Sequence, residues 1–279
     1  MAKKALRLDE IGYWSKVKLE IVQKYAAAYS TILARQNSIK GHVYIDACAG
    51  AGTHISRGTG ESVAGSPVIA LQIRPLFTEL HLIDLDGSRA SELERLSAED
   101  QRVTVHRGDC NEILLRDVFL RCKYADRRRA LCLLDPYRLE INWTVLHTAG
   151  KMGSIEVFYN FMIMDANMNV FMKDPGKVAP AQAARMDAVW GDSSWREAAY
   201  RDTRDLFGTR EEKASNEDIA EAFRKRLHDV GGFAYVPKPM PMRNSKGAVV
   251  YYLYFASPNK TGAKIVTHIF DKYRNEGVQ

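Results

Sequence analysis

The stretch Val43-Tyr44-Ile45-Asp46-Ala47-Cys48-Ala49-Gly50-Ala51-Gly52-Thr53-His54 decides how the rest of the chain is read. Its first three residues are β-branched or aromatic, and the run stops at an acid. Small residues and two glycines follow. So short a run, rich in strand formers and bounded by glycine, reads as a buried β-strand entering a tight turn. Gly50 and Gly52 admit positive φ and leave bare backbone against which a ligand can lie. In open α/β sheets, ligands bind at the carboxyl ends of such strands.

Downstream the same punctuation recurs. Leu80-His81-Leu82-Ile83 ends on Asp84, and Val103-Thr104-Val105-His106 is followed by Gly108-Asp109. Ala130-Leu131-Cys132-Leu133-Leu134 ends on Asp135-Pro136-Tyr137, and Ile155 to Phe161 is a fifth strand. Helical stretches lie between them: 67–74 behind Ser66-Pro67, 88–96 with Ser88 as its cap, an amphipathic 111–122, and 143–149. Strands alternating with helices predict an α/β fold with a doubly wound, mostly parallel sheet.

Upstream, Leu19, Val22, Tyr25, Ala26 and Tyr29 recur at helical spacing, so 9–36 reads as an N-terminal helical segment. Residues 53–66 read as a polar loop. Residues 165–231 hold no convincing strand and read as a helical insertion, two or three helices including 216–229, in which Trp190 and Trp195 pack helices. Phe233 to Val236 and Val249 to Phe255 are expected to pair as an antiparallel hairpin around a proline-rich loop, 237–247, before a closing helix, 259–274. The whole of 1–279 reads as one unit built on a seven-stranded sheet.

Hydrophobic residues make up 46% and charged residues 27%, the balance of a soluble globular protein long enough to bury a full core. No apolar run approaches the length of a membrane span and no signal-peptide core is present, so a cytoplasmic location without a membrane is expected. Net charge is +6, from 40 basic and 34 acidic residues, which admits an anionic partner such as DNA or RNA. The basic clusters Lys3-Lys4, Arg127-Arg128-Arg129 and Arg224-Lys225-Arg226 read first as solvated surface. Cys48, Cys110, Cys122 and Cys132 lack metal-ligand spacing and read as reduced thiols, so no metal is expected.

Asp46, Asp84, Asp109 and Asp135 fall at successive strand ends and therefore along one sheet edge. A nucleoside cofactor uses such an edge. An acid after the second strand accepts ribose hydroxyls, and a polar residue after the third takes an adenine amino group. Glycines after the first strand admit the amino-acid end. The dinucleotide pattern Gly-x-Gly-x-x-Gly is absent, because Thr53-His54-Ile55 follows Gly52, and no Gly-Lys-Ser/Thr follows the first strand.

Asp46-x-Cys48-x-Gly50-x-Gly52, Asp84, Gly108-Asp109, Asp135-Pro136-Tyr137 and the closing hairpin resemble the class I S-adenosylmethionine-dependent methyltransferases. More closely, four segments resemble the three-Cys-motif partner protein family, TcmP, and together they span most of the chain. They are Tyr44 to Gly52, Gly60-Glu61 to Gly65-Ser66-Pro67, Leu133 to Tyr137, and Pro241 to Gly247 ahead of Tyr251-Tyr252-Leu253. The resemblance implies a Rossmann-like methyltransferase fold with S-adenosylmethionine on Asp46, Gly50, Gly52, Asp84 and Asp109. It also implies a partner of radical-SAM type, whose cysteines give the family its name. Asp135-Pro136-Tyr137 resembles Asp-Pro-Pro-Tyr of enzymes that methylate exocyclic amines, with one proline fewer. By that likeness Asp135 and a following carbonyl accept hydrogen bonds from the substrate amine, and Tyr137 stacks on the base. Asn160 is a candidate for the pocket wall and His54 for an acid/base or substrate contact. Arg243, Asn244 and Lys246 on the hairpin loop are candidates for phosphate contacts. The residues leave two alternatives open: a nucleic-acid-binding or nuclease-associated module on the same fold, and a small-molecule methyltransferase.

Overall fold

The computed structural model describes residues 8–205 and 208–276; Lys3-Lys4 lies outside them. The elements run β1 (Asp9–Ile11), α1 (Tyr13–Ala34), β2 (Gly41–Asp46), β3 (Thr53–Ser56), β4 (Ser62–Ala64), α2 (Ser66–Gln72), β5 (Glu79–Asp84), α3 (Gly87–Leu96) and β6 (Val103–Arg107). They continue α4 (Cys110–Ile113), β7 (Arg128–Leu134), α5 (Trp143–Met152), β8 (Ile155–Phe161), α6 (Ile163–Asn169), α7 (Pro180–Trp190), α8 (Trp195–Ala199), β9 (Tyr200–Asp205) and β10 (Gly208–Lys213). The chain closes with α9 (Asn216–Asp229), β11 (Met240–Arg243), β12 (Val249–Ala256) and α10 (Lys260–Glu276).

Seven strands form the central sheet in the order β11-β12-β8-β7-β2-β5-β6. β12 runs antiparallel to both its neighbours and the other pairings are parallel. The chain winds outward from β2 through β5 to β6, then returns to β7 on the other side of β2. The strand order thus reverses between β2 and β7, where open sheets place their ligands. This is the Rossmann-like methyltransferase arrangement.

Alternation along the strands explains the layers. In β7, Ala130, Cys132 and Leu134 enter one core, while Leu131 and Leu133 enter the other. A strand covered on both faces needs an unbroken apolar run, and 130–134 is one. α1, α2 and α10 cover one face; α5 and the 163–229 region cover the other. Phe223 of α9 stacks on Phe161 at 4.7 Å and 19°, and Trp190 and Trp195 are buried in the same cluster.

Five expectations need correction. Residues 9–11 are a strand, with the helix starting only at Tyr13. Residues 53–66 are a hairpin rather than a loop: β3 pairs with β4, and β1 joins β3 in parallel. Residues 111–122 form one α-turn followed by a π-turn at Leu114–Val118 and a 3₁₀ turn at Phe119–Arg121. The 165–231 region is not strand-free, because β9 and β10 pair antiparallel within it. Tyr200-Arg-Asp-Thr-Arg-Asp205 and Gly208-Thr-Arg-Glu-Glu-Lys213 carry almost no apolar residue, so no hydrophobic alternation announces them. Finally, the closing hairpin uses Met240–Arg243 in place of 233–236, which contributes only a Tyr235–Ser257 bridge. Pro241 is tolerated there because β11 is an edge strand, where a missing N–H need break no ladder. No helix among the described residues is long and apolar enough to cross a membrane.

Candidate active site

The turn after β2 depends on its glycines. Gly50 and Gly52 sit at φ 66° and 81°, and a Cβ on Gly52 would stand 2.7 Å from a Leu96 methyl. The Gly50 N–H donates to Asp84 Oδ2 at 2.9 Å, tying this turn to the end of β5. Asp84 Oδ1 accepts the Asp86 N–H at 2.8 Å. Asp86, not Ser88, caps α3, accepting the N–H groups of Ser88 and Arg89. After β6, Asp109 caps α4: its Oδ1 accepts the Asn111 N–H at 2.7 Å and the Asn111 amide at 3.0 Å.

Asp84 and Asp109 line a cleft of about 770 Å³ together with Cys48, Arg89, Asn142 and Arg185. Arg185, from α7, lies 3.2 Å from Asp165 Oδ2, and its Nε and Nη2 have no hydrogen-bond partner among the described residues. Asp46, Gly50 and Gly52 do not line this cleft; Gly50 lines the smaller pocket beside it, and Asp46 and Gly52 line neither. Asp46 is fully buried, and burial lifts its carboxyl to about 7 against the opposing pull of Ser66 and Lys18. Its Oδ2 accepts from Tyr44 at 3.5 Å, while its Oδ1 has no partner among the described residues.

A smaller pocket of about 210 Å³ adjoins the cleft, sharing Cys48 and Tyr137 with it. Here the structure brings together Asp135, Pro136, Tyr137, Asn160 and His54, all singled out from the sequence, with Lys18 and Tyr251, which were not. The carboxylate of Asp135 is engaged on both oxygens: the Lys18 ammonium donates to one and the Asn160 amide to the other. Burial alone would lower the Lys18 pKa, but Asp135, with Tyr251 and Asp46, outweighs it and raises it above the ordinary lysine range. Lys18 is therefore a fixed cation.

Because the Asn160 NH₂ faces Asp135, its carbonyl oxygen points elsewhere, and that atom is buried without a partner among the described residues. The same holds for His54 Nδ1 and the Tyr251 hydroxyl. An unmet buried polar atom costs about 1–3 kcal/mol. Three around one small pocket, with Asp46 Oδ1 behind them, mark a place built to bond a ligand. Burial, and then Lys18, depress the His54 pKa, so its imidazole is neutral at neutral pH.

The roof comes from the N-terminus. Arg89 donates to Asp9 at 3.0 and 3.1 Å and to the Tyr137 hydroxyl at 3.1 Å. Tyr137 in turn donates to Asp9 at 2.6 Å. This triangle fixes the Tyr137 ring at the junction of the two pockets.

Arg243, Asn244 and Lys246 lie at the carboxyl edge of the sheet but line neither pocket. Arg243 donates to the Gly247 carbonyl at 2.8 Å, and Asn244 Oδ1 accepts the N–H groups of Lys246 and Ala248. Asn244 thus builds the hairpin turn. Of the residues missed, Lys18 carried a signal: it falls in the apolar stripe Val22, Tyr25, Tyr29, four residues before Val22. Asp9, Arg89, Arg185 and Tyr251 carried none, since each reaches the site by tertiary folding.

The fold is a doubly wound, mostly parallel sheet whose carboxyl edge, carrying Asp84, Asp109 and Asp135, faces a two-part pocket. Among solved structures the chain is similar to protein LPL1258 from Legionella pneumophila, of family DUF519. The TM-score is 0.55 at 12% identity, covering 94% of this chain and 91% of that one. It is also similar to the putative methyltransferase yhhF from Escherichia coli, with TM-score 0.34, 10% identity and coverage of 85% and 87%. A putative methyltransferase from Thermobifida fusca matches with TM-score 0.42, 15% identity and coverage of 87% and 81%. At 12% identity the likeness to LPL1258 is one of fold. No family model and no curated protein matches the sequence.

Proposed function

We propose that the protein is an S-adenosylmethionine-dependent methyltransferase acting on an amine, with the exocyclic amine of a nucleic-acid base as the preferred acceptor. The donor set fits the cofactor. Asp84 retains lone pairs for ribose hydroxyls beyond its two N–H partners, and Asp109 keeps Oδ2 for an adenine amino group. Gly50 offers open backbone at positive φ for the amino-acid end. When bound, S-adenosylmethionine supplies a methyl group activated by a sulfonium cation.

The observation that carries the amine reading is the environment of Lys18. Its ammonium already rests on Asp135, so the pocket holds an amine of the protein's own, with the Asn160 carbonyl oxygen vacant beside it. A substrate amine would donate to Asp135 and Asn160, leaving its nitrogen lone pair aimed toward the cleft. Tyr137 would support the ring carrying the amine. Neutral His54, with Nδ1 unbonded, would take the proton released as the nitrogen gains its methyl. About 210 Å³ accommodates a single base or a small amine, so the rest of a nucleic acid would remain outside.

The test is mass spectrometry of DNA, RNA and a small-amine panel after incubation with labelled S-adenosylmethionine. Asp135→Asn alone strands the Lys18 charge, at a cost of about 3–5 kcal/mol in stability. The paired variant Lys18→Met with Asp135→Asn removes that penalty. It should stay folded and bind the cofactor while losing turnover by orders of magnitude. If wild type methylates nothing in the panel, the reading fails.

Lys18 on Asp135 also favours a second reading: a module that binds nucleic acid without turnover. That reading predicts salt-dependent DNA or RNA binding with no label transferred. The radical-SAM-type partner implied by the TcmP resemblance is tested by co-purification of the two proteins.

A further inference from the structure

A second cavity, of about 460 Å³, opens at the amino edge of the central sheet, opposite the cofactor cleft. Arg129 and Glu156 are each the second residue of their strands, and β12, running the other way, delivers Asn259 and Lys260 to the same end. α1 closes one side with Tyr25 and Tyr29. The volume falls in the range of small-ligand sites.

The cavity's charges are unbalanced. Its one acid among the described residues, Glu156, is buried and accepts the Tyr25 hydroxyl on Oε2 and the Ser257 hydroxyl on Oε1 at 2.9 Å. The Arg129 guanidinium lies 3.7 Å over the Tyr124 ring and donates to the Arg128 carbonyl at 2.8 Å. Neither Arg129 nor Lys260 has an ion-pair partner among the described residues. Lys260 also opens the 17-residue α10, whose first turn carries no acid, so the helix end adds partial positive charge. Two cations and a helix end face a single acid that is already engaged.

An unmet donor completes the floor. The Tyr29 hydroxyl is buried without a hydrogen-bond partner among the described residues, although the residue lines the cavity. Burial, and then Glu156, keep it protonated. Such a group is destabilising unless something bonds to it. On the rim, Tyr124 is 59% exposed and Tyr235 36% exposed, offering flat faces beside the cations.

From this arrangement we propose that the amino-edge cavity is a second ligand site, for a small aromatic anion, carboxylate or phosphate. Its ring lies against Tyr124, its anion between Arg129 and Lys260, and its polar end on the Tyr29 hydroxyl. The site is independent of methyl transfer.

The test is calorimetric titration of the full chain with 4-hydroxybenzoate and with phenyl phosphate, and with phenol as the neutral control. Each titration is run without S-adenosylhomocysteine and with it in excess. At least one anion should bind saturably at one site, at least tenfold tighter than phenol, and unchanged by S-adenosylhomocysteine; which anion wins identifies the group recognised. Arg129→Gln should weaken that binding about tenfold, the worth of one charge-assisted contact. Exposed Lys260→Gln should act in the same direction and guards against a folding defect in the first variant. Tyr29→Phe should weaken binding severalfold without lowering the melting temperature, because the hydroxyl it removes has no partner in the free protein. Four results overturn the proposal: no saturable heat with either anion, equal affinity for phenol, indifference to both cation variants, or displacement by S-adenosylhomocysteine.

Discussion

Each edge of the sheet holds a buried acid that titrates near 7, and the two acids live differently. Glu156, at the amino edge, spends both oxygens on hydroxyl groups of Tyr25 and Ser257. Asp46, at the carboxyl edge, leaves Oδ1 without a partner among the described residues. Both are desolvated, so burial alone cannot tell a structural acid from one beside a working site. Satisfaction can. Among the described residues the carboxyl edge carries three unmet buried atoms around one pocket, with Asp46 Oδ1 behind them, where the proposed acceptor would bind. The amino edge carries unpaired cations, suited to an anion. One helix reaches both: Lys18 meets Asp135 and Tyr25 meets Glu156, seven residues or about 10 Å of α1 apart.

The largest expected contrast is in turnover. Replacing Asp135 in the neutralised pair with Lys18→Met should lower methyl transfer by at least about a hundredfold. Glu156→Gln should leave it within a factor of two. Equal losses in both would erase the distinction between the edges, and initial rates on one substrate measure it.

Next in size is a pH effect on stability. The Glu156 pKa is raised to about 7 by burial, against the opposing hydrogen bonds from Tyr25 and Ser257. An acid with a raised folded-state pKa adds stability below its unfolded pKa, and that contribution is lost as pH rises through the folded value. The window therefore runs from about pH 4.5 to 7. Glu156→Gln removes the ionisation, so its melting temperature relative to wild type should climb from pH 5 to pH 8. The change should be worth on the order of 3 kcal/mol. Asp46→Asn should show the same sign. A flat difference across that range would show that Glu156 ionises freely in the folded protein.

Smallest is the roof. Tyr137→Phe removes the hydroxyl shared by Asp9 and Arg89, a partly exposed bond worth at most about 1 kcal/mol. Cofactor should dissociate up to severalfold faster, with the melting temperature nearly unchanged. Stopped-flow displacement reads this directly.

What could be read from the sequence follows the same division between satisfied core and exchangeable edge. The strand runs 43–45, 130–134 and 155–161 announce themselves because sheets buried on both faces require largely apolar runs. Asp46 and Asp135 were visible for the same reason, since each ends such a run. β1, β3, β9 and β10 are short and polar, and their pairing is carried by backbone bonds that leave no pattern in side chains. Asp135, Asn160 and His54 were legible as neighbours because strand ends share an edge. The engagement of Asp135 was not, because Lys18 reaches it from 117 residues away. The hairpin residues Arg243 and Asn244 looked like ligand groups because Arg and Asn serve turns and phosphates equally well; here they close their own loop.

The claim on which the rest depends is that the carboxyl edge holds S-adenosylmethionine, and calorimetric titration of wild type and Asp84→Ala with that ligand tests it most directly. Asp84 both anchors the Gly50 turn and faces the cleft. The expected result is saturable one-site binding by wild type, weakened more than about tenfold, or 1.4 kcal/mol, in the variant. No heat and no thermal shift with either S-adenosylmethionine or S-adenosylhomocysteine would contradict it, as would an Asp84→Ala variant that binds as tightly as wild type.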